Sequence, residues 1–380
     1  MQNISFKYNG VTFIVSFTNN KIHIYKLNNG NYIELNAKEK EELDTLLNSQ
    51  YSYIYDSELL RSLVIKNDKI ESKKYLYDFL IWLENIIPLG CRDNFYRNVS
   101  TLSTELNLDF DGTGEISSNY GAPAKYDTLN NKIIMEKSEL SKIREIANQT
   151  TNPDEYYWKE YSQVLLHELS HMASSKYNPD SGVVLCGFDT YPTNELESQN
   201  RGLTEGFTEI IACAGIPSRT SEISSGYYIE ASIINQLIQV IGNETFLKSY
   251  FSNNGITDIK QKLHEFIPDI NKSFQLFRNI ELNYQIRHIN EEQNVLGSIQ
   301  STILDYLEIK LQKLYELGES ENIANVLSIY EQLLITPEKL EAMNKKPENF
   351  KGLLYSLEKF SGLKDTYLGK SYDSNGNKAK

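Results

Sequence analysis

The 380-residue sequence is poor in cysteine, with only Cys91, Cys186 and Cys213. Three widely separated cysteines argue against a disulfide framework, and no CxxC pair is present to bind a metal. The chain also lacks the roughly 18 consecutive apolar residues of a membrane span. Its start, MQNISFKYNGVTFIVSF, has no basic residues followed by an apolar run and a cleavage site. We therefore expect a cytoplasmic protein, or one exported without a cleaved signal peptide.

Positive charge is also scarce. The chain has 38 Lys and Arg against 51 Asp and Glu, a formal net charge of −13. Nucleic acid and anionic membranes are therefore not expected partners, because binding phosphates needs a basic face. The composition, 40% hydrophobic and 23% charged, is typical of a globular protein large enough to bury a sizeable core.

Alternating apolar and polar residues at the start of the chain predict an antiparallel β-meander over residues 4–35, with turns at NG, NN and NNGN. Asn36 and Glu39, at the start of NAKEKEELDTLL, have the spacing of a helix-opening capping box. KKYLYDFLIWLENIIPLG predicts a further helix that ends at Pro88 and Gly90. The N-terminal part therefore combines a small β module with helices.

Most of the later chain has helical periodicity. EYYWKEYSQVLLHELSHMASS and RGLTEGFTEIIACAG both predict helices, the second ending at Gly215. Residues 177–201 contain two prolines and two glycines and predict a long loop. Beyond about residue 256 the pattern is helical almost throughout, and PENFKGLLYSLEKF predicts a helix that begins at Pro347.

The predicted fold class is α+β, with a small N-terminal antiparallel β module, a mostly helical core and a helical C-terminal region. We place the N-terminal part at residues 1–100 and the core at 101–255. The C-terminal helices follow at 256–368. A polar tail over residues 369–380 is predicted to be disordered.

The stretch VLLHELSHMASS contains the motif HExxH as His167, Glu168 and His171. On a helix, residues four apart lie on one face, so both imidazoles can bind one metal ion. Glu168 is rotated by about 100° from His167, which lets it take a proton from water without binding the metal. Short motifs also arise by chance, but two of only five histidines fall here, on an apolar helix. The motif indicates zinc-dependent hydrolysis, with one Zn²⁺ per chain.

A catalytic zinc usually has three protein ligands and an open position. The HExxHxxGxxH arrangement is excluded, because Ser174 and Tyr177 occupy the glycine and third histidine positions. In GLTEGFTEI, Glu205 can complete a His₂Glu set, and Glu209, one turn later, can accept the free ring N–H of a ligand histidine. Two further carboxylates in the predicted loop compete as third ligands, Glu195 and Glu197.

HExxH followed by LTEGFTE resembles the gluzincin branch of the zincin metallopeptidases over residues 130–250. That resemblance implies a zincin-like core and peptide-bond hydrolysis, with His167, His171 and Glu205 as metal ligands and Glu168 as the catalytic base. Thr204 stands where many members have Asn. Gluzincins often use a tyrosine or histidine as oxyanion donor, and similar bacterial proteins carry Tyr three residues before Glu, as Tyr227 is here. Tyr228 is the alternative.

In zincins an edge strand binds extended substrate by strand addition, and NKIIM is the candidate for such a strand. An ordinary buried strand is the alternative interpretation. The predicted partner is thus a peptide or protein substrate, whereas the oligomeric state and the choice between endo- and aminopeptidase stay open. The rival hypothesis is a catalytically inactive zincin-like interaction module with a structural metal. A toxin or effector protease is a third possibility.

Overall fold

The fold is described by a computed structural model for most of the chain. The described residues are 3–8, 11–18, 21–28, 31–36, 38–39, 58–69, 73–105, 124–135, 145, 149, 153–178, 180, 182–192, 200–216, 226–252, 254–286 and 295–371. Within them the class is α+β, as predicted: three small sheets accompany a long series of helices.

The chain opens with a four-stranded antiparallel sheet in the order β1-β2-β3-β4. Its strands are β1 (Asn3–Tyr8), β2 (Val11–Thr18), β3 (Lys21–Asn28) and β4 (Asn31–Glu34). Each strand pairs with the next along the chain, because every connection is only two residues long. The predicted meander is confirmed.

The predicted capping box follows this sheet. The Asn36 backbone N–H donates to Glu39 Oε2 at 3.0 Å, and the Glu39 N–H donates to Asn36 Oδ1 at 3.0 Å. This reciprocal pair satisfies two backbone donors at a helix start. The rest of the predicted helix, residues 40–47, lies outside the described residues.

Three helices pack beside the sheet. They are α1 (Glu58–Lys66), α2 (Lys73–Ile86) and α3 (Arg92–Thr101). The prediction for α2 is confirmed, and the helix ends just before Pro88, which cannot continue it. Leu60, Leu76 and Leu80 are fully buried between these helices, so apolar burial is the main force that holds them together.

A three-stranded sheet follows, with β5 (Ser103–Glu105), β6 (Ala124–Asp127) and β7 (Lys132–Met135). NKIIM forms β7, but the order is β5-β7-β6, so β7 is the central strand. The prediction of an edge strand is wrong for this segment. β5 pairs with β7 on one side in parallel, and β6 pairs on the other side through the turn that contains Asn131, whose φ is 48°. Among the described strands of this sheet, β5 and β6 are the edges.

The HExxH segment lies in α4 (Pro153–Ser174), a helix of 22 residues. Asn98 of α3 stabilises the end of α4, because its Nδ2 donates to the carbonyl oxygens of Met172 at 2.7 Å and Ser175 at 2.8 Å. Such carbonyls have no partner within the helix. The end of α4 is thus held against α3.

The described part of the predicted loop over residues 177–201, which ends at residue 192 and resumes at 200, is not the long loop that its glycines and prolines predict. A three-stranded antiparallel sheet, in the order β10-β9-β8, contains β8 (Ser175–Asn178), β9 (Val183–Cys186) and β10 (Asp189–Pro192). The glycines are turn residues: Gly182 and Gly187 have φ of 63° and 59° between the strands. Strands of four residues are too short to show a clear alternation of apolar and polar residues. The glycine and proline content therefore led to a wrong loop prediction for this segment.

Five helices follow this sheet. They are α5 (Arg201–Ala214), α6 (Tyr228–Ile241), α7 (Asn243–Ser252), α8 (Thr257–His264) and α9 (Ile270–Ile286). As predicted, α5 ends at Gly215. Gly206 lets α5 approach α6 closely, because a Cβ at this position would lie 2.7 Å from the backbone carbon of Glu230.

The C-terminal region is helical, as predicted. Its helices are α10 (Leu296–Glu316), α11 (Ser320–Leu333), α12 (Pro337–Ala342) and α13 (Leu353–Ser371). Pro347 begins a short 3₁₀ turn instead of α13, because Gly352, with φ of 74°, turns the chain where it passes Gly297 of α10. The disordered tail was predicted over residues 369–380, but α13 continues to Ser371, so the prediction is wrong for residues 369–371. Residues 372–380 lie outside the described residues.

The buried apolar side chains form one continuous cluster from Leu35 to Tyr367. The predicted boundaries near residues 100 and 255 stay predictions. None of the described helices is both long and apolar enough to cross a bilayer.

Candidate metal centre

The candidate site lies where α4 packs against α5. Leu165, Leu166 and Leu169 of α4 are fully buried, and they place the HExxH face of the helix inside the protein. On α5, Gly202 and Gly206 allow the close approach of α9 and α6, respectively. The two helices that carry the predicted ligands are thus fixed by packing on several sides.

Three potential ligand atoms converge at this contact. His167 Nε2 lies 3.2 Å from Glu205 Oε2 and 3.1 Å from His171 Nε2, and His171 Nε2 lies 3.4 Å from the same carboxylate oxygen. Ligands about 2.0–2.1 Å from a tetrahedral zinc are about 3.3 Å apart. The three separations match the edges of such a tetrahedron. This is the group of His, Cys, Asp and Glu that could hold a metal within the described part of the chain.

The other nitrogen of His167 faces a carboxylate. Its Nδ1 lies 3.2 Å from Glu209 Oε2, and Gln163 Nε2 donates to Glu209 Oε1. In the neutral imidazole this contact favours the proton on Nδ1, which leaves the Nε2 lone pair facing the cluster. Burial lowers the pKa of His167, but hydrogen bonds to Glu205 and Glu209 outweigh it and raise the pKa to about 9.

The other nitrogen of His171 faces sulfur. Cys186 Sγ of β9 lies 3.4 Å from His171 Nδ1, and the thiol is 3.7 Å from the His171 carbonyl oxygen, to which it can donate. In this arrangement the sulfur accepts a hydrogen bond from the Nδ1–H group, and Nε2 again presents its lone pair to the cluster. Burial lowers the pKa of His171, but its electrostatic interactions and hydrogen bonds with Cys186 and Glu205 outweigh burial and raise that pKa well above its usual value.

Glu205 offers one oxygen to the cluster, and Arg201 contacts the other. Arg201 Nε donates to Glu205 Oε1 at 3.4 Å, one helical turn away, whereas Oε2 faces the two histidines. Burial raises the pKa of Glu205, but the charges and hydrogen bonds of His171 and His167 bring it well below the usual range. Glu205 is therefore ionised, as a metal-binding carboxylate must be.

Glu168 is close to the cluster without being part of it. Its side chain is buried, and burial raises the pKa of the carboxyl group above its usual value, although the neighbouring imidazoles partly oppose this. The backbone N–H of Tyr126, on edge strand β6, donates a hydrogen bond to the carboxylate. Glu168 can therefore exchange a proton at this position.

The structure brings together most of the residues singled out in the sequence. His167, His171 and Glu205 share the cluster, Glu168 and Glu209 are beside it, and these five are all less than 10% exposed. The ring of Tyr227 stacks on His167, with centroids 5.3 Å apart and planes at 13°. Tyr228 hydrogen-bonds Ser232 within α6. The competing ligands Glu195 and Glu197 lie outside the described residues.

Sequence reasoning missed several supporting residues. Gln163 could have been found, because it lies one turn before His167 on the same helix face. Arg201 likewise lies one turn before Glu205. Cys186 and Tyr126 reach the site only through strand placement, and no sequence spacing indicates them. Thr204, the departure from Asn, connects α5 to the β9-β10 turn: its Oγ1 accepts the Phe188 N–H at 3.1 Å and donates to the Cys186 carbonyl oxygen at 3.4 Å.

The contacts around the cluster leave a deficit of positive charge. Two imidazole lone pairs and a carboxylate oxygen meet within 3.4 Å when both imidazole protons occupy the Nδ1 positions. Either extra protons or a cation must balance such a group, since buried lone pairs repel one another. The donor set of two imidazoles and one carboxylate suits Zn²⁺.

No protein-family model matches this chain, and neither a curated protein nor a solved structure matches it.

Proposed function

We propose that this chain is a zinc-dependent peptidase of the gluzincin type, with His167, His171 and Glu205 as the metal ligands. The observation that carries the proposal is the convergence of two Nε2 atoms and one Oε2 at 3.1–3.4 Å. The resemblance of HExxH and LTEGFTE to gluzincins supports it from the sequence. The zincin-like nature of the core is part of the proposal.

The chemistry divides among a few side chains. Bound Zn²⁺ would act as a Lewis acid and lower the pKa of a water molecule to about 7. Glu168 then takes a proton from water and passes it to the leaving amine, a task that its raised pKa suits. Glu209 holds the His167 proton on Nδ1. Tyr227, stacked on His167, is the proposed donor to the oxyanion.

The alternative is an inactive zincin-like module with a structural metal. The low exposure of the cluster favours it, since His167 is 6% and His171 9% exposed. The peptidase is favoured by the ligand number: within the described residues the group has three members, which leaves a fourth position for water or substrate. The predicted location, in the cytoplasm or outside the cell after signal-less export, stays a prediction.

The proposal is tested on the full chain purified without chelator. We expect about one zinc per chain by mass spectrometry of the metal, and hydrolysis of a pool of internally quenched peptides. Glu168→Gln should keep the zinc and abolish hydrolysis, and His167→Ala should lose both. His264→Ala is the matched control, because His264 bonds Ser273 away from the cluster.

Three outcomes decide between the hypotheses. A chain without bound metal contradicts both. Zinc without turnover in any peptide pool supports the structural metal. Hydrolysis that survives Glu168→Gln overturns the proposed catalytic role of that residue.

A further inference from the structure

A groove next to the ligand helix α5 has a composition unlike the rest of the surface. It has a volume of about 690 Å³, and its walls come from α9, from the start of α8 and from the ends of β10 and the α5 N-terminus. A volume of about 300–1,000 Å³ is typical of ligand pockets in proteins. Outside α9, the lining includes Thr190, Asn200 and Lys260.

One wall is a stripe on α9. Phe274, Phe277, Arg278 and Leu282 occupy positions i, i+3, i+4 and i+8 of the helix, so they share one face. Phe274 is 53% exposed and Leu282 is 39% exposed. Exposed side chains of this size on one stripe are more apolar than an ordinary solvated helix face.

The groove also carries positive charge in a chain whose net charge is −13. Lys260 lies over the Phe277 ring, 5.8 Å from its centroid, and Arg278 stands on the opposite wall. Among the described residues, neither side chain makes an ion pair. The one carboxylate in the lining, Glu281, is already engaged, because it accepts the Gly202 N–H at 3.1 Å and Gln285 Nε2 at 3.2 Å.

The groove lies beside the helix that carries Glu205 of the candidate metal centre. Gly202 packs so closely on α9 that a Cβ atom added at this position would lie 2.8 Å from the Cβ atom of Tyr284. Asn200 lines the groove and Glu205 binds the cluster, and five helical residues span about 7.5 Å. An extended chain covers that distance in two to three residues at about 3.3 Å each. The groove lining at Asn200 is therefore about two to three extended residues from the cluster.

We propose that this groove binds an extended peptide segment rich in acidic and apolar side chains, a few residues from the scissile bond of the substrate. Lys260 and Arg278 attract the carboxylates, and the α9 stripe covers the apolar side chains. β10, an edge of its sheet among the described strands, lines the groove at Thr190 and can pair with an extended peptide. As a substrate contact, the groove rests on the proposed peptidase function. Binding itself does not need catalysis.

The test measures binding and hydrolysis separately. A fluorescein-labelled 12-residue peptide of alternating Glu and Leu is titrated into full-length zinc-loaded Glu168→Gln protein, with a Lys-Leu peptide for comparison. Anisotropy gives the Kd. We expect the acidic peptide to bind at least about tenfold more tightly than the basic one, and more weakly as salt rises. Equal binding of both peptides, or no binding, would overturn the proposal.

Paired variants locate the site. Lys260→Glu with Arg278→Glu should weaken the acidic peptide about tenfold. The control, Lys346→Glu with Lys351→Glu, changes the net charge equally at exposed positions in the C-terminal region and should change Kd less than about twofold. Both pairs alter exposed or half-buried side chains, and circular dichroism checks their fold. If both pairs weaken binding equally, the peptide responds to overall charge and the groove proposal fails.

Failure of the groove and failure of the peptidase are distinguishable. If wild type hydrolyses peptides and the groove pair leaves both Kd and kcat/KM unchanged, the groove proposal fails alone. If the groove pair weakens binding but no peptide is cleaved, the groove is a peptide-binding site and the peptidase proposal fails. If both hold, the groove pair raises KM for acidic substrates and leaves kcat for a neutral peptide unchanged.

Discussion

Two groups of buried polar side chains, one at the α4-α5 contact and one among the C-terminal helices, are organised in opposite ways. In the C-terminal group, Gln236 Nε2 donates to Gln300 Oε1 at 3.1 Å, and Gln300 Nε2 donates to Ser356 Oγ at 3.0 Å. Tyr330 Oη donates to Gln236 Oε1, and the Ile335 N–H donates to Gln300 Oε1. Each acceptor there meets a hydrogen-bond donor.

At the candidate metal centre, by contrast, acceptors face acceptors when both imidazole protons occupy the Nδ1 positions. The donors of His167 and His171 point outward, to Glu209 and Cys186, and both lone pairs point inward at Glu205. A neutral amide network is complete in itself, whereas this arrangement needs either extra protons or a cation. Burial alone therefore does not distinguish the two groups of polar side chains. The direction of their hydrogen bonds distinguishes them.

The largest expected effect separates catalysis from structure. Glu168→Gln should lower kcat by about 10²–10⁴-fold, the range of general acid-base catalysis, because the amide cannot take a proton. The zinc content should not change. Peptide hydrolysis assays and metal analysis on the same sample measure kcat and zinc content. Gln300→Leu, which changes a buried polar residue outside the cluster, is the control and should leave kcat unchanged.

Metal removal should lower the stability of the folded chain, and this effect should depend on the metal ligands of the cluster. Dialysis against a chelator is expected to lower the thermal midpoint, because a ligand at about 100 times its Kd stabilises the folded state by about 2.7 kcal/mol. Added Zn²⁺ should restore it. In His167→Ala the chelator should have no effect, and an unchanged midpoint in wild type would show that the cluster is stable without a cation.

Glu209→Gln tests the hydrogen bond behind His167. An amide in place of the carboxylate accepts the Nδ1 proton more weakly, so we expect zinc affinity to fall by about 10–100-fold. Competition with a chelating dye measures this affinity. Glu230→Gln, on α6, is the buried carboxylate control, and equal losses in the two variants would contradict a specific role for Glu209.

Gln300→Leu should disturb the other group. The leucine leaves the Ile335 N–H and the Gln236 amide without their shared acceptor, at an expected cost of about 1–3 kcal/mol in the free energy of unfolding. Denaturant titration measures this loss. Zinc affinity should remain that of wild type, since the network lies outside the cluster; a coupled loss of zinc would mean that the two groups are not independent.

The smallest effect is expected at Arg201, whose side chain is 54% exposed. Arg201→Gln should reduce zinc affinity by no more than about fivefold, because an exposed ion pair contributes about 1 kcal/mol or less. Arg201→Lys should behave in the same way. A loss as large as that of Glu209→Gln would show that Arg201 determines which oxygen of Glu205 faces the metal.

Much of the local structure could be predicted from the sequence. The β-meander, the Asn36-Glu39 capping box and helices α2 and α5 follow from patterns that span a few residues. The short strands β8 to β10 could not be predicted in this way, since a strand of four residues shows too little periodicity. The central position of β7 also escaped prediction, because strand order depends on a partner, β5, that is distant in the sequence.

The sequence by itself determined that His167 and His171 share a helix face, with Glu168 turned aside, because the α-helical period alone fixes those directions. Tertiary structure decided the rest of the site. It selected Glu205 and Glu209 as neighbours of His167, stacked Tyr227 on the ring, and brought Cys186 to His171. These contacts join segments 15 to 60 residues apart, so they depend on how helices and strands pack, and no local spacing encodes that packing.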